Sequence, residues 1–551
     1  MNKSDAFSDA LLEQRLLDST QLEYARQRNA VVDEALWRTV VETGLASETR
    51  VAQVLADVFG FEFVDIDLMP PSDSNVLKLF RKEQCLSLNF LPLYREEQTL
   101  VAVIGDGDPV RIAEAIMQRC SCRCRLLVSE FSAVRRHILH RFYFEQHPPE
   151  KLLDAEIKLL STDSSRSLSP ENLLNHLLHF AVRERSTDIH VSPSGVVYHV
   201  LFRIDGVLCP VKALPISYDR LISYIKLVAE MDIAEQRRPQ DGSFRTVILD
   251  DNFTVRVSTI VTEHGERVVM RLLPEAHDLK GLAELGFFAD DVAQINACMA
   301  NPSGLVLITG PTGSGKSSTL HAGLRMQRLI ERNVLTVEDP LEYRVPGAAQ
   351  TEVNRRAGYD FSSALRHFLR HDPDVILVGE MRDAETAQAA FEAATTGHLV
   401  LSTLHVTSVF GVLPRLLPFG ISPQIIAENL VIVINQRLVR RNCPHCVVRV
   451  PWSEQEARLL NPDADSLSAR SYGCSNCRQT GYLGRLPVYE ILSVGDELAN
   501  AIAENVPREK LRNVAINRGF LGISEVARRR VLLGQTTFEE TVRVLGEGVF
   551  H

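Results

Sequence analysis

At 551 residues, with a formal charge of −10 and 45% apolar residues, the chain is too long for one core and has the composition of an ordinary globular protein of roughly three or four domains. The acidic balance argues against a general nucleic-acid binder, which relies on basic surface to displace counterions. No apolar run approaches the roughly 20 residues that span a bilayer. The first thirty residues mix Asp, Glu, Arg and Gln where a signal sequence would be apolar. Ten cysteines in such a chain read as reduced or metal-bound, and the expectation is a cytoplasmic protein.

Residues 1–145 read as a first α+β unit. Leu11, Leu12, Leu16 and Leu17 open an amphipathic helix, and further helices are predicted near Ala35–Thr43 and Arg50–Phe59. Strands are predicted at Phe61–Ile66, Leu91–Tyr94 and Thr99–Ile104. The alternation Cys120-Ser-Cys-Arg-Cys124 predicts a strand with Cys120, Cys122 and Cys124 on one face. Three adjacent positions on one strand cannot close a metal tetrahedron, so these cysteines read as small buried hydrophobes. Residues 146–169 carry His-Pro-Pro, charges and a serine-rich run, which is linker composition. Residues 170–280 alternate helix (Leu173–Arg185, Tyr218–Met231) with short strands (Val197–Arg203, Phe253–Ser258, Arg267–Leu273), again α+β. Its polar clusters, Asp188-Ile-His190, Arg203-Ile-Asp-Gly206, Arg237–Gly242 and His264–Arg267, each read singly as turns with solvated charge.

Residues 281–551 carry the most informative stretch. The apolar run Leu305–Ile308 suits a strand buried on both faces, and a helix is predicted over Ser317–Leu329. Between them Gly310, Pro311, Thr312, Gly313, Ser314, Gly315, Lys316 and Ser317 fit the phosphate-loop pattern, with Ser318 following. Glycines let backbone N–H groups close around phosphate oxygens, and the helix N-terminus favours the anion. Lys316 would reach the β- and γ-phosphates of a nucleoside triphosphate, and Ser317 would hold Mg²⁺.

The apolar runs Val334–Val337, Val375–Val378 and Leu399–Thr403 alternate with helices, which predicts a mostly parallel sheet covered on both faces. Strand Val375–Val378 runs into Gly379-Glu380, placing a carboxylate where the metal or the attacking water sits. Glu338-Asp-Pro-Leu-Glu342 brings three more carboxylates to the same rim, with Glu342 preferred as the water-activating group and Glu338 not separable from it. His398 and His405 bracket the third run, one at each end. A lone histidine there reads as a hydrogen-bonded core or rim residue, and beside this nucleotide site a role in sensing the γ-phosphate is expected, with His405 assigned to the site. Cys443-Pro-His-Cys446 and Cys474-Ser-Asn-Cys477, separated by 27 residues, suit a closed tetrahedral Zn²⁺ site without a catalytic position.

Together these stretches resemble the type II/type IV secretion ATPases. The loop Gly310–Ser317, Thr336–Glu342, Asp372–Asp383 and Thr396–His405 look like that family's Walker A, Asp box, Walker B and His box. Asn435–Arg441 and the two cysteine knuckles are similar to the secretion-E and pilus-extension branch. The resemblance implies a RecA-like ATPase core over 281–551, with a four-cysteine insert at 440–482. Before it would stand a PAS-like domain at 170–280, a linker at 146–169 and an N-terminal docking domain at 1–145. It further implies a homo-hexamer using ATP, Mg²⁺ and Zn²⁺, peripheral on the inner membrane through a docking partner. The work implied is assembly of a pilin-like filament for type II secretion, with type IV pilus extension as the alternative. A DNA-transfer motor and a non-catalytic scaffold are the remaining readings. Arg203, Arg256 and Arg271 occupy the positions at which the family completes a neighbouring protomer's site. Tyr224 stands where relatives commonly carry arginine, and Val406-Thr407 follows His405 where they carry Thr-Asn. Ala35-Leu36-Trp37 and Val58 replace a cyclic di-GMP pattern, so no binding of that ligand by this route is expected.

Overall fold

The computed structural model describes residues 3–32, 34–162, 169–215, 219–275, 280–327, 329, 331–463 and 465–550. Residues 163–168 of the linker stretch and Tyr218 lie outside them. The chain forms two compact units, one of Met1–Val54 with Asp278–His551 and the other Leu55–His277.

The second of these holds two sheets. A four-stranded sheet runs in the order Glu62–Phe63, Arg123–Val128, Thr99–Ile104, Phe90–Glu96, with only the last strand antiparallel to its neighbour. A six-stranded, fully antiparallel sheet runs in the order Val207–Pro215, Val197–Ile204, Ser186–Ser194, Gly265–Pro274, Asp251–Thr262, Gln240–Ile248. Alternate residues of its strands point to one core. Ile189, Val191, Phe202, Val255, Val257 and Met270 pack with Leu174, Leu177 and Ile225 of the helices Pro170–Arg183 and Asp219–Val228. The residues between them therefore face the other way.

Two local expectations in this unit are corrected. Cys120 is the last residue of helix Pro109–Cys120, which Ser121 stops in the left-handed conformation, so the strand begins only at Arg123. Cys122 is buried while Cys120 and Cys124 are half-buried, and the three do not share one strand face. The stretch read as linker contains a helix, Pro149–Thr162, whose Leu153 joins the core of helix Pro170–Arg183.

In the other unit the helices Lys3–Glu13, Ser19–Val32 and Leu36–Glu42 precede Ser47, which caps the next helix by accepting from Arg50 N at 3.2 Å and donates to Glu284 Oε1 at 2.7 Å. The centre is a seven-stranded sheet whose strands, in chain order, are β1 (Gly304–Thr309), β2 (Val334–Glu338), β3 (Ala349–Glu352), β4 (Val375–Val378), β5 (Leu399–Leu404), β6 (Leu430–Asn442) and β7 (Tyr482–Ser493). The spatial order is β3-β2-β4-β5-β1-β6-β7, parallel except for β7. Leu305, Leu307, Ile376, Val378 and Val400 enter one core, while Val306, Ile308, Val375, Leu377 and Leu401 enter the core on the opposite face. Burial on both faces explains why these strands are apolar without alternation.

Candidate active site

The phosphate-loop pattern falls between β1 and helix α1 (Lys316–Arg325), one turn shorter at its end than the sequence suggests. Three glycines earn their places by geometry. Gly310, Gly313 and Gly315 have φ of 144°, 77° and 86°, values that L residues rarely adopt. A Cβ at Gly310 would also stand 2.5 Å from Gln436 O and 2.6 Å from Ser314 Oγ. The loop is held from behind by β6. Gln436 Nε2 donates to Ser314 O at 2.7 Å, and Gln436 Oε1 accepts from Thr319 Oγ1 at 2.9 Å. Asn435 Nδ2 donates to Thr309 Oγ1 at 2.8 Å and to Val406 O at 3.1 Å. Sequence reading assigned no role to either residue.

Lys316 Nζ donates to the carbonyls of Gly310 at 3.1 Å and Pro311 at 3.0 Å. Burial pulls its pKa below the usual lysine value, against the attraction of the Glu380 and Glu342 carboxylates. Those two acids and the loop thus share one rim, at the carboxyl ends of the parallel strands, where α/β sheets place ligands. Glu380 Oε1 lies 2.5 Å from the Arg382 guanidinium, and Glu380 Oε2 lies 3.4 Å from His405 Nε2.

The two acids that sequence could not separate differ sharply. Glu338 is 4% exposed and fully engaged. Its Oε1 accepts from Thr336 Oγ1 at 3.0 Å and Gln350 Nε2 at 3.2 Å, and its Oε2 lies 3.1 Å from His321 Nε2. Glu342 is exposed, with no hydrogen bond or ion pair among the described residues. His398 sits at the other end of β5, away from the rim. Its Nδ1 lies 2.9 Å from Ala393 O, at the end of helix Ala384–Thr395. The altered flank after His405 packs the Val406 side chain on the core and hydrogen-bonds through main chain, Val406 O accepting from Asn435 and Thr407 O from Arg437.

On the antiparallel sheet of the other unit, Arg203, Asp188, Arg271 and Arg256 form a direct cross-strand row, Asp188 opposite Arg203 and Arg271 opposite both Asp188 and Arg256. All four occupy the face turned away from the apolar core. Arg271 Nε donates to Asp188 Oδ1 at 2.9 Å, and Arg203 Nε lies 3.6 Å from Asp188 Oδ2. Arg256 has no partner among the described residues. Two guanidiniums on one carboxylate, with the unpartnered Arg256 opposite Arg271, leave excess positive charge on adjacent positions, where like charges repel. Tyr224 packs its ring against this unit's core.

The four cysteine sulfurs all lie within 4.8 Å of one another. The separations Cys443–Cys474, Cys446–Cys477 and Cys474–Cys477 are 3.8, 3.8 and 3.7 Å. A tetrahedral ion with Zn–S bonds of about 2.3 Å requires sulfur separations of about 3.8 Å, so the cluster fits Zn²⁺. Burial raises the Cys443 thiol to about 12. Burial acts the same way on Cys477, but backbone N–H groups of Cys474 and Gly481 aimed at its sulfur outweigh it and bring the thiol to about 7. His445 is not part of the cluster.

A glycine-rich loop after a central strand of a mostly parallel sheet, with acids at and beyond the ends of two other strands of that sheet, defines a RecA-like phosphate-loop fold. Residues 164–543 match the family described as Type II/IV secretion system protein, and the chain belongs to that family. It is 34% identical to the type II secretion system protein E of Xanthomonas campestris pv. campestris over 97% of both chains. It is 32% identical to the type IV pilus assembly ATPase PilB of Myxococcus xanthus over 98% of both. With the PilB of Thermus thermophilus it shares 36% identity over 92% of its own length and spans 58% of that longer protein. Among solved structures the ATPase DotB of Legionella pneumophila superposes with a TM-score of 0.51 at 21% identity, over 69% of this chain and 96% of that one. Among the described residues no helix is long and apolar enough to cross a membrane.

Proposed function

We propose that this protein is an ATPase that works as a homo-hexamer and powers assembly of a pilin or pseudopilin filament in type II protein secretion. The observation that carries the reading is the rim itself. Lys316, a free Glu342 and a held Glu380 converge beside a loop whose glycine conformations suit a triphosphate. In this reading the loop N–H groups of Gly310–Ser318 bind the phosphates, and Lys316 exchanges its two loop carbonyls for phosphate oxygens. Ser317 would hold Mg²⁺, which when bound neutralises charge on the β- and γ-phosphates. Glu342 takes the proton as a water oxygen attacks the γ-phosphorus and the bond to the β-phosphate oxygen breaks. Glu380, steadied by Arg382 and His405, orients that water. Arg203, Arg256 and Arg271 of an adjacent copy neutralise the charge that spreads over the transferred phosphoryl group. The row's excess positive charge supports this role. Zn²⁺ on Cys443, Cys446, Cys474 and Cys477 is structural, because all four positions come from protein.

Type IV pilus extension is the second reading, favoured by the PilB relatives of nearly the same identity and coverage. In either case residues 1–145 dock the hexamer to an inner-membrane protein from the cytoplasmic side, with no role for nucleic acid or cyclic di-GMP. Phosphate release by the full chain tests the chemistry. Wild type turns over, Glu342→Gln binds nucleotide but stalls, and equal rates in both would leave a nucleotide-binding scaffold. Capture of membrane proteins on residues 1–150 decides between secretion and pilus.

A further inference from the structure

One buried histidine beside the loop is used by none of the steps above. His321 lies one turn along α1 from Ser317 and is 1% exposed. Its Nδ1 lies 2.8 Å from Ser317 O, and its Nε2 lies 3.1 Å from Glu338 Oε2. Both ring nitrogens therefore face acceptors, a carbonyl and a carboxylate. The Nε2 contact is an ion-pair approach and not a hydrogen bond. Burial works against a charged ring, but Glu338 and the Ser317 carbonyl outweigh it and raise the pKa of His321.

The contacts continue beyond the pair. Glu338 Oε1 accepts from Gln350 Nε2 at 3.2 Å. That same amide nitrogen donates to Tyr343 O at 2.9 Å, and Gln350 Oε1 accepts from Val345 N at 2.8 Å. Tyr343 and Val345 are the residues just after Glu342. A second tie closes the circuit, since Tyr343 OH and Ser318 Oγ are 2.9 Å apart. The His321 ring lies 5.0 Å from that of Tyr343, centroid to centroid. Starting at Ser317, the path runs through His321, Glu338 and Gln350 to the turn bearing Glu342, and returns through Tyr343 to Ser318.

We propose that His321 is a positioning residue. Through Glu338 and Gln350 it sets the place of the Glu342 turn relative to the loop helix, and Glu338 serves as its anchor and not as a base. The inference rests on the reading of Glu342 as the water-activating group. Neither nitrogen of His321 faces the rim, so its effect belongs to geometry at the reacting water and not to nucleotide capture. A displacement of a positioned group by an ångström slows a reaction on the order of 100-fold.

The test uses the full chain with three substitutions, His321→Phe, Gln350→Ala and the double variant His321→Phe/Glu338→Gln. Nucleotide affinity is read with a fluorescent ADP, turnover by phosphate release, and the turn itself by amide hydrogen exchange at Tyr343–Val345. His321→Phe is expected to lower kcat by about 10- to 100-fold with nucleotide affinity unchanged within a few-fold, and to speed exchange at Val345. Gln350→Ala, which leaves the buried pair intact and guards against a folding defect in the first variant, should lower kcat in the same way and speed exchange at Val345 at least as much, because it removes the acceptor of that N–H. The double variant should recover part of the loss, because Glu338→Gln removes the carboxylate stranded by the phenylalanine. Unchanged kcat in both single variants, equal losses in affinity and kcat, or unchanged exchange at Val345 would each overturn the proposal. The exchange readout holds whether or not ATP is the substrate. If Glu342→Gln turns over normally while exchange still responds to His321→Phe, the assignment of the base has failed and the positioning circuit stands.

Discussion

The loop rim and the arginine row are two charged regions of this molecule built on opposite principles. At the rim nearly every polar group already has a partner. Lys316 rests on two loop carbonyls, Glu380 on Arg382 and His405, and the loop on Gln436. Among the described residues Glu342 has no hydrogen bond or ion pair, and the loop's buried Ser314 Oγ has no hydrogen-bond partner. On the antiparallel sheet two guanidiniums, those of Arg203 and Arg271, share one carboxylate, and the adjacent Arg256 has no partner among the described residues. Pre-satisfied donors mark a site that can be assembled before its ligand arrives. Adjacent like charges mark a surface that is completed only by an anion from outside.

Lys316→Ala should have the largest effect, a fall in phosphate release on the order of 1,000-fold or more. A variant that retained turnover would end the comparison, since the rim would then not be the reaction site. Next come the arginines, where activity and stability should part. Arg256→Ala and Arg271→Ala should each lower turnover by on the order of 1,000-fold at concentrations where copies associate. Thermal unfolding should distinguish them. Arg271→Ala strips the 2.9 Å partner from Asp188, which is 4% exposed, and should lose roughly 1–3 kcal/mol. Arg256→Ala removes only a repelling neighbour and should be neutral or stabilising by a few tenths of a kcal/mol. If both destabilise alike, the row is structural.

A smaller effect is expected from the metal cluster. Removing zinc with a strong chelator, or substituting Cys446→Ser, should lower the melting temperature by several degrees and release zinc measurable by a colorimetric indicator. Loss of all turnover with the protein still folded would contradict a closed structural site. The mildest change is Gln436→Ala. It leaves Ser314 O and Thr319 Oγ1 without their partner, and should weaken nucleotide binding by about 1–2 kcal/mol, read by titration. No change would mean that the loop keeps its shape without support from β6.

How much of this was legible beforehand depended on whether a residue's environment is written locally. The parallel strands were, because burial on both faces leaves an uninterrupted apolar run. The loop was, because its glycines, Lys316 and Ser317 are contiguous. The pair Glu338 and Glu342 was not separable, since what distinguishes them is partners supplied by α1 and β3. His321 gave no signal, because one histidine on a helix reads as an ordinary core residue until the facing strand is known. His398 misled in the opposite sense, since proximity in sequence to His405 placed it on the same strand but at the far end. Cys120 was misplaced because Ser121 takes a left-handed conformation more often supplied by glycine or asparagine. The arginine row was legible only through the family resemblance, for no single strand records which residues will stand opposite one another.

The longest strand in the sheet carries one further consequence. β6 leaves the loop's backing residues, Asn435 and Gln436, and runs on to Asn442 before the first knuckle begins at Cys443. β7 returns from the second knuckle antiparallel alongside it. From Gln436 to Cys443 the path is roughly 23 Å of paired, extended backbone. The cysteine module is thus the far end of a stiff two-stranded handle whose root grips the phosphate loop. Anything that seizes that handle from outside has a direct mechanical line to the phosphate loop.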